Sequence, residues 1–357
     1  MKLNKGIKKV LLLLSVTSLL TSSVLATPVT EKKVLDLDYA ITMAISKDET
    51  LGEYSRNIEV YKEQKATADN LSSSMYNSKV IDIAETERKK QYRKDVIAKE
   101  VTEQYQNIAL LQRNIELFKE QISLNENQVK QATIKKEKGF CDELTYEKVV
   151  RTLEESKVKK EQTEKNLEDA KKSFIKLTNL NLDRYNLKVD DTYEPFKLDK
   201  SINSYASGMA TELVKYADEK VKLSEDSFWE NIYRSGPEGT GPTYAAYLEQ
   251  KTAVENSKVD IKTMYDEYRL LIETKYTALS AQLDTINTKA NEYKSSIKEM
   301  KVLEIKYKAG YISTLDYETQ KYALDAKQVD YLNEVNKYKI LKMQFEKPWT
   351  MREYSFK

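Results

Sequence analysis

Apolar residues recur in alternating steps of four and three along two stretches of this chain. In the second half, Ile272, Tyr276, Leu279, Leu283, Ile286, Ala290, Tyr293, Ile297 and Met300 form one row, which Tyr307 continues. In the first half, Ile97, Val101, Ile108, Leu111, Ile115, Phe118, Ile122, Val129 and Ala132 form the other, with polar Gln104 and Asn125 at two seam positions. This is coiled-coil spacing. It predicts helices over about Val80–Lys138 and Thr243–Lys308, which at 1.5 Å per residue would be roughly 90 and 100 Å long. Each row stops at a glycine, Gly139 or Gly310, where a positive φ carries little steric penalty and the chain can reverse. Beyond the glycines, Tyr317, Leu324, Tyr331, Tyr338 and Phe345 recur every seven positions, and the first half carries Val149, Leu153, Leu167, Ala170, Phe174 and Leu177. Return helices pairing antiparallel with the long ones follow.

The two halves are copies of one unit. Gly310 lies 171 positions after Gly139, and the same shift lays Lys138–Glu147 over Ala309–Glu318 with Gly139, Leu144, Tyr146 and Glu147 matched identically. Tyr105/Tyr276, Ile115/Ile286, Leu153/Leu324 and Phe174/Phe345 keep the register far outside this motif. A repeat of that length is a whole supersecondary unit. A shorter helix precedes each long one, over about Val34–Asn70, where Leu37, Ile41, Ala44 and Ile58 support it, and over about Ile202–Ile232. Leu71–Ser78 and Ser235–Pro242 have turn composition. The predicted fold is all-α, two tandem repeats of a short helix plus a long antiparallel hairpin, six helices with no strands. The first repeat is read as 27–180, a linker containing Pro195 as 181–200, the second repeat as 201–346 and a tail as 347–357.

Residues 1–26 read as an export signal, with basic Lys2, Lys5, Lys8 and Lys9, an apolar stretch Val10–Leu20 and a small-residue cleavage site Val24-Leu25-Ala26. Setting aside those four lysines from 59 basic residues leaves near balance with 57 acidic ones. Such mixed charge is the mark of solvated helix faces with i,i+4 pairs and argues against nucleic acid as a partner. Only 8 Gly and 5 Pro interrupt 357 residues, which favours long helices. There is no His and a single Cys, Cys141, so the commonest general base, the usual zinc ligand and a thiolate cluster are all missing. Acid pairs such as Glu154-Glu155 and Asp190-Asp191 read as solvated charge, and no glycine-rich phosphate loop follows a strand. No enzyme activity and no cofactor are expected. The 25 tyrosines include Tyr105, Tyr276, Tyr293, Tyr307, Tyr331 and Tyr338 at seam positions, where packing is the plain reading.

The signal, the duplicated helical unit and the two tip sequences Lys-Gly-Phe-Cys-Asp-Glu-Leu-Thr-Tyr-Glu and Ala-Gly-Tyr-Ile-Ser-Thr-Leu-Asp-Tyr-Glu together resemble the TolC-type outer membrane efflux proteins. Gly310, Tyr311, Ile312, Leu315 and Asp316 match the family's tip pattern, and Gly139, Phe140, Cys141 and Leu144 match it with a less typical Asp142-Glu143 pair. The resemblance implies a homotrimeric helical conduit in an efflux or secretion assembly. Its hairpin tips (Gly139, Phe140, Cys141, Leu144, Gly310, Tyr311, Ile312 and Leu315) would dock on an extracytoplasmic membrane-fusion adaptor of a pump. It also implies export to the cell envelope, at the outer membrane where the host has one. The family inserts two membrane β-strands, each about 9 to 11 residues, between the short and long helices of each repeat. Leu71–Ser78 and Ser235–Pro242 have no room for them, and Phe228–Leu248, with Trp229, Tyr233, Tyr244 and Tyr247, lacks alternation. The barrel is therefore expected to be absent, which leaves membrane contact open. It also raises a second reading, a secreted coiled-coil scaffold or regulator of envelope machinery with no conduit.

Overall fold

In the computed structural model the described residues are 32–69, 72–234 and 243–351. The predicted export signal and the segment 235–242 lie outside them, as does Leu71. Among the described residues there are seven α-helices: α1 (Leu37–Lys47), α2 (Glu49–Ala68), α3 (Ser73–Glu137), α4 (Glu143–Thr178), α5 (Ile202–Arg234), α6 (Tyr244–Lys308) and α7 (Thr314–Glu346). The long helices α3 and α6 each have 65 residues, about 98 Å at 1.5 Å per residue. Each packs against its own return helix, α3 on α4 and α6 on α7, and α3 also packs against α7. The four long helices thus stand side by side in the order α4, α3, α7, α6, with both glycine turns at the same end.

Each repeat has its own core. In the first, Ile97, Val101, Tyr105 and Ile108 of α3 and Phe174 of α4 close over Leu35, Ala40, Ala44 and Leu51. In the second, Ile272, Leu279 and Ile286 of α6 and Val335, Tyr338 and Phe345 of α7 close over Ala206, Ala210, Leu213 and Val214 of α5. These are the rows read from the sequence, because a helix that buries one stripe must place apolar residues at that spacing. The polar seam position Asn125 is buried and bonds Ser156 Oγ across the hairpin at 2.8 Å. The positions 171 further on are Ser296 and Lys327, which bond at 2.6 Å. Both hairpins therefore carry one polar cross-link at the same position of the repeat, and a polar pair in an apolar seam fixes the register of its helices.

The structure departs from four expectations. The predicted single helix Val34–Asn70 is two helices, since Asp48 leaves the helical region (φ −72°, ψ 114°) to cap α2. Its Oδ1 accepts from the Leu51 amide at 3.0 Å while Oδ2 takes Arg93 of α3 at 2.7 Å. The segment read as a turn, Leu71–Ser78, is helical from Ser73, because Ser72 caps α3 and Ser74 bonds Ser227 of α5 at 2.6 Å. Two short parallel strands exist, β1 (Lys33–Val34) and β2 (Tyr185–Asn186). They tie the start of the first repeat to the linker 181–200, which is otherwise largely irregular and packs Tyr193, Phe196 and Leu198 on the second core. Finally, the described part of the supposed tail, up to Met351, forms a 3₁₀ turn, Pro348–Thr350, against α3.

Candidate docking tips and the walls that carry them

The two turns are built alike. At the end of α3, the Phe140 amide bonds the Lys135 carbonyl at 2.7 Å and the Gly139 amide bonds the Lys136 carbonyl at 3.0 Å. At the end of α6, Tyr311 bonds Lys306 at 2.9 Å and Gly310 bonds Tyr307 at 2.9 Å. This pair of bonds is the Schellman motif, which requires a left-handed residue just past the helix. Gly139 has φ 74° and Gly310 φ 77°. Three residues on, Asp142 and Ser313 cap the return helices by accepting from the Thr145 and Asp316 amides at 2.7 and 3.1 Å. No heavy atom would crowd a Cβ at either glycine, so the backbone angle alone penalises a side chain there. Gly310→Val is expected to destabilise the chain by about 1–2 kcal/mol, measured by urea denaturation, with Gly310→Asn losing less.

Beneath the turns the two tips differ in chemistry. In the first, Lys136 bonds Glu143 at 2.8 Å and sits 4.4 Å from the Tyr146 ring centroid. The hydrogen bond with Glu143 holds the Lys136 ammonium above its ordinary pKa. The Thr145 backbone amide, and then its side chain, hold the Asp142 carboxyl below its usual range. The equivalent three positions of the second tip are Tyr307, Thr314 and Tyr317, where the rings stack at 4.5 Å and the Tyr307 hydroxyl lies 3.3 Å from Thr314 Oγ1. One tip is thus held by charge and the other by aromatic stacking, on one backbone frame.

Around these frames, apolar side chains face water. Phe140 is 81% exposed and Tyr311 82%, and Leu144 also stands free of the core. Cys141, Ile312 and Leu315 are half-buried. Of the eight residues singled out in the sequence, the structure places Gly139, Phe140, Cys141 and Leu144 together at the first turn and Gly310, Tyr311, Ile312 and Leu315 at the second. Ile134 and Ile305, one turn back along α3 and α6, extend each exposed patch. Sequence reasoning did not single them out as tip residues, and both fall outside the seam rows, whose nearest members are Ala132 and Tyr307.

The contact between α3 and the turn that follows α7 also carries a cluster that the sequence did not suggest. Trp349 stacks on Tyr92 of α3 at 4.0 Å with an interplanar angle of 6°, and its Nε1 donates to Asp95 Oδ2 at 2.9 Å. Lys347 Nζ reaches Asp95 Oδ1 at 2.8 Å. Further along the same seam Arg113 lies 3.7 Å from Asp325 and 3.4 Å from Gln328. Tyr105 donates to the Leu35 carbonyl and accepts the Lys188 amide, while Tyr338 donates to the Glu194 carbonyl and accepts the Phe196 amide. These two tyrosines strap the linker across both cores.

Among the described residues no group of three His, Cys, Asp or Glu could hold a metal ion, and no helix is long and apolar enough to cross a membrane. The connection from α2 to α3 spans 69–72 and that from α5 to α6 spans 235–243. Two membrane strands of about 9 to 11 residues each do not fit either.

No family model matches the sequence, and no curated protein matches it. Solved structures do share its fold. The CusC channel superposes with a TM-score of 0.63 at 11% identity, covering 88% of this chain and 91% of that one. The outer membrane protein VceC of Vibrio cholerae gives 0.58 at 11%, covering 87% and 94%. The CmeC outer membrane channel of Campylobacter jejuni gives 0.57 at 11%, covering 88% and 85%. The chain therefore has the helical fold of TolC-type outer membrane channels, and its described residues carry that fold without membrane strands.

Proposed function

We propose that this protein is an exported component of a transport assembly. Copies stand side by side as a homotrimer, forming a helical conduit, and the hairpin tips dock on an extracytoplasmic adaptor of a pump. The observation that carries this reading is the pair of like-built turns at one end of the molecule, each presenting a large apolar side chain, Phe140 or Tyr311, that stands exposed among the described residues. Exposed apolar clusters on an otherwise charged surface mark places where another protein binds. The fold shared with CusC, VceC and CmeC supports the conduit and an envelope location.

One observation favours the second reading, a secreted scaffold without a conduit. The short connections 69–72 and 235–243 leave no room for the membrane strands that would anchor a channel. The two readings part in solution. Purified from its natural export route, the chain is expected to sediment as a trimer and to appear in electron micrographs as a hollow ring in end view. A monomeric rod, or a solid coiled-coil bundle with no central opening, would remove the conduit and leave the scaffold.

A further inference from the structure

The two repeats meet where α3 packs on α7. This seam is polar, unlike the apolar core within each repeat. Asp95 of α3 holds Lys347 and Trp349 at one end, and nearer the tips Arg113 lies 3.7 Å from Asp325 and 3.4 Å from Gln328 of α7. Asp95 and Lys99 are buried, while their counterparts on α6, Asp266 and Leu270, are exposed. On the tip side of the Asp95 cluster the seam contains an acid pair. The half-buried Glu120 of α3 comes into side-chain hydrogen-bonding contact with Asp325 of α7. Two carboxyl groups share a hydrogen bond only when one of them keeps its proton. The equivalent positions carry no such pair, since Glu120 maps onto the exposed Asn291 and Asp325 onto the exposed Glu154, which Lys157 holds at 2.9 Å.

The surroundings say which carboxyl keeps it. Arg113 beside Asp325 favours the charged form there. Burial first, and then the charge of Asp325, raise the Glu120 carboxyl above its ordinary range, against Lys321 and Arg113, which pull it down. Glu120 is therefore the donor and Asp325 the acceptor. A cavity of about 190 Å³ borders the pair, lined by Glu120, Ser123 and Leu124 of α3 and by Glu318, Lys321 and Tyr322 of α7. Glu318 and Lys321 are exposed, so the cavity brings solvent to Glu120 and lets its proton exchange. From α6, Tyr293 lies near Asp325 and Arg113, and its own burial keeps the hydroxyl neutral. On α4, Lys160 and Glu164 pair with each other at 2.8 Å, and Glu164 lines a separate groove with Glu116 and Lys119.

The geometry points to a proton-operated clasp between the two repeats, in which Glu120 and Asp325 bond across the seam while Glu120 is protonated and repel each other once it ionises. The hairpins are then held together more firmly in acid than in alkali. The folded chain binds this proton more tightly than the unfolded chain does, so its contribution to stability is complete in acid and is lost as pH rises past the ordinary glutamate range. The clasp lies within one chain and does not depend on how copies assemble.

Glu120→Gln tests this on the full exported chain, because the amide still donates and cannot ionise. In the parent, amide-exchange protection over 110–125 and 320–332, corrected for intrinsic exchange, is expected to fall about threefold to tenfold between about pH 5 and about pH 8. In Glu120→Gln it is expected to stay within about twofold. Asp325→Asn removes the repelling charge, and in that background Glu120→Gln is expected to leave the pH dependence unchanged. Infrared difference spectra of the parent, compared with those of Glu120→Gln, read the Glu120 carboxyl directly, and it is expected to titrate above the ordinary glutamate range. Equal pH dependence in the parent and Glu120→Gln, an undiminished effect of Glu120→Gln in the Asp325→Asn background, or a Glu120 carboxyl that titrates at or below the ordinary range would each overturn the clasp.

Discussion

Phe345→Ala is expected to lower the stability of the chain by about 4 kcal/mol, the scale for truncating a fully buried aromatic. Phe345 has no exposed surface. Its ring lies 4.8 Å from Phe196 of the linker, 4.9 Å from Tyr205 of α5 and 5.7 Å from Tyr276 of α6. Its carbonyl also accepts the Tyr205 hydroxyl at 3.3 Å. Three helices and the linker meet on this one ring, so the cavity left by alanine cannot collapse without moving several elements. Phe345→Leu keeps most of the volume and is expected to lose about 1.5 kcal/mol or less. Urea unfolding followed by circular dichroism measures both, and an alanine variant losing under 1 kcal/mol would rule out the shared ring cluster.

Replacing Phe140 and Tyr311 together by serine is expected to separate partner binding from folding. Both side chains are exposed and touch no core, so thermal stability should stay within about 0.5 kcal/mol of the parent. Aromatic anchors at the centre of an interface carry about 2–4 kcal/mol each on truncation, so losing two should reduce partner capture by more than about a hundredfold. A photo-crosslinking residue at Ile312 in living host cells provides the readout. The parent is expected to give a discrete adduct with a pump adaptor, identified by mass spectrometry, and the double variant to lose it. An adduct of undiminished yield in the double variant would remove the tips from the docking surface.

Much of this was legible in the linear chain. The 171-residue shift, the seam rows and the two glycines gave the hairpins and their turns, since heptad packing and helix termination act over a few residues and leave a periodic trace. The tips were legible as positions. Their divergence, Lys136 with Glu143 against Tyr307 with Thr314, was readable at the same offset but acquires meaning only once the turn brings those side chains together. Asp48 illustrates the opposite case. Asp is a favoured N-cap and Asp48 takes the Leu51 amide, but the apolar pattern runs on through it, and its other carboxylate oxygen is held by Arg93 on another element.

The C-terminal turn was hidden for a similar reason. A Trp directly after a Pro in a presumed tail is a hint of docking, yet its partners Tyr92 and Asp95 lie more than 250 positions earlier. The sequence by itself determined the duplication, the helix type, the length of each wall and the point of reversal, because these follow from local periodicity and from what glycine permits. Only the tertiary structure decided which faces of equivalent helices are covered: α3 against α7 is closed by Asp95, Arg113 and their partners, whereas α4 and α6 are left open. The repeats are near-equal in sequence pattern, so burial there depends on where each copy stands in the chain, which no local signal records.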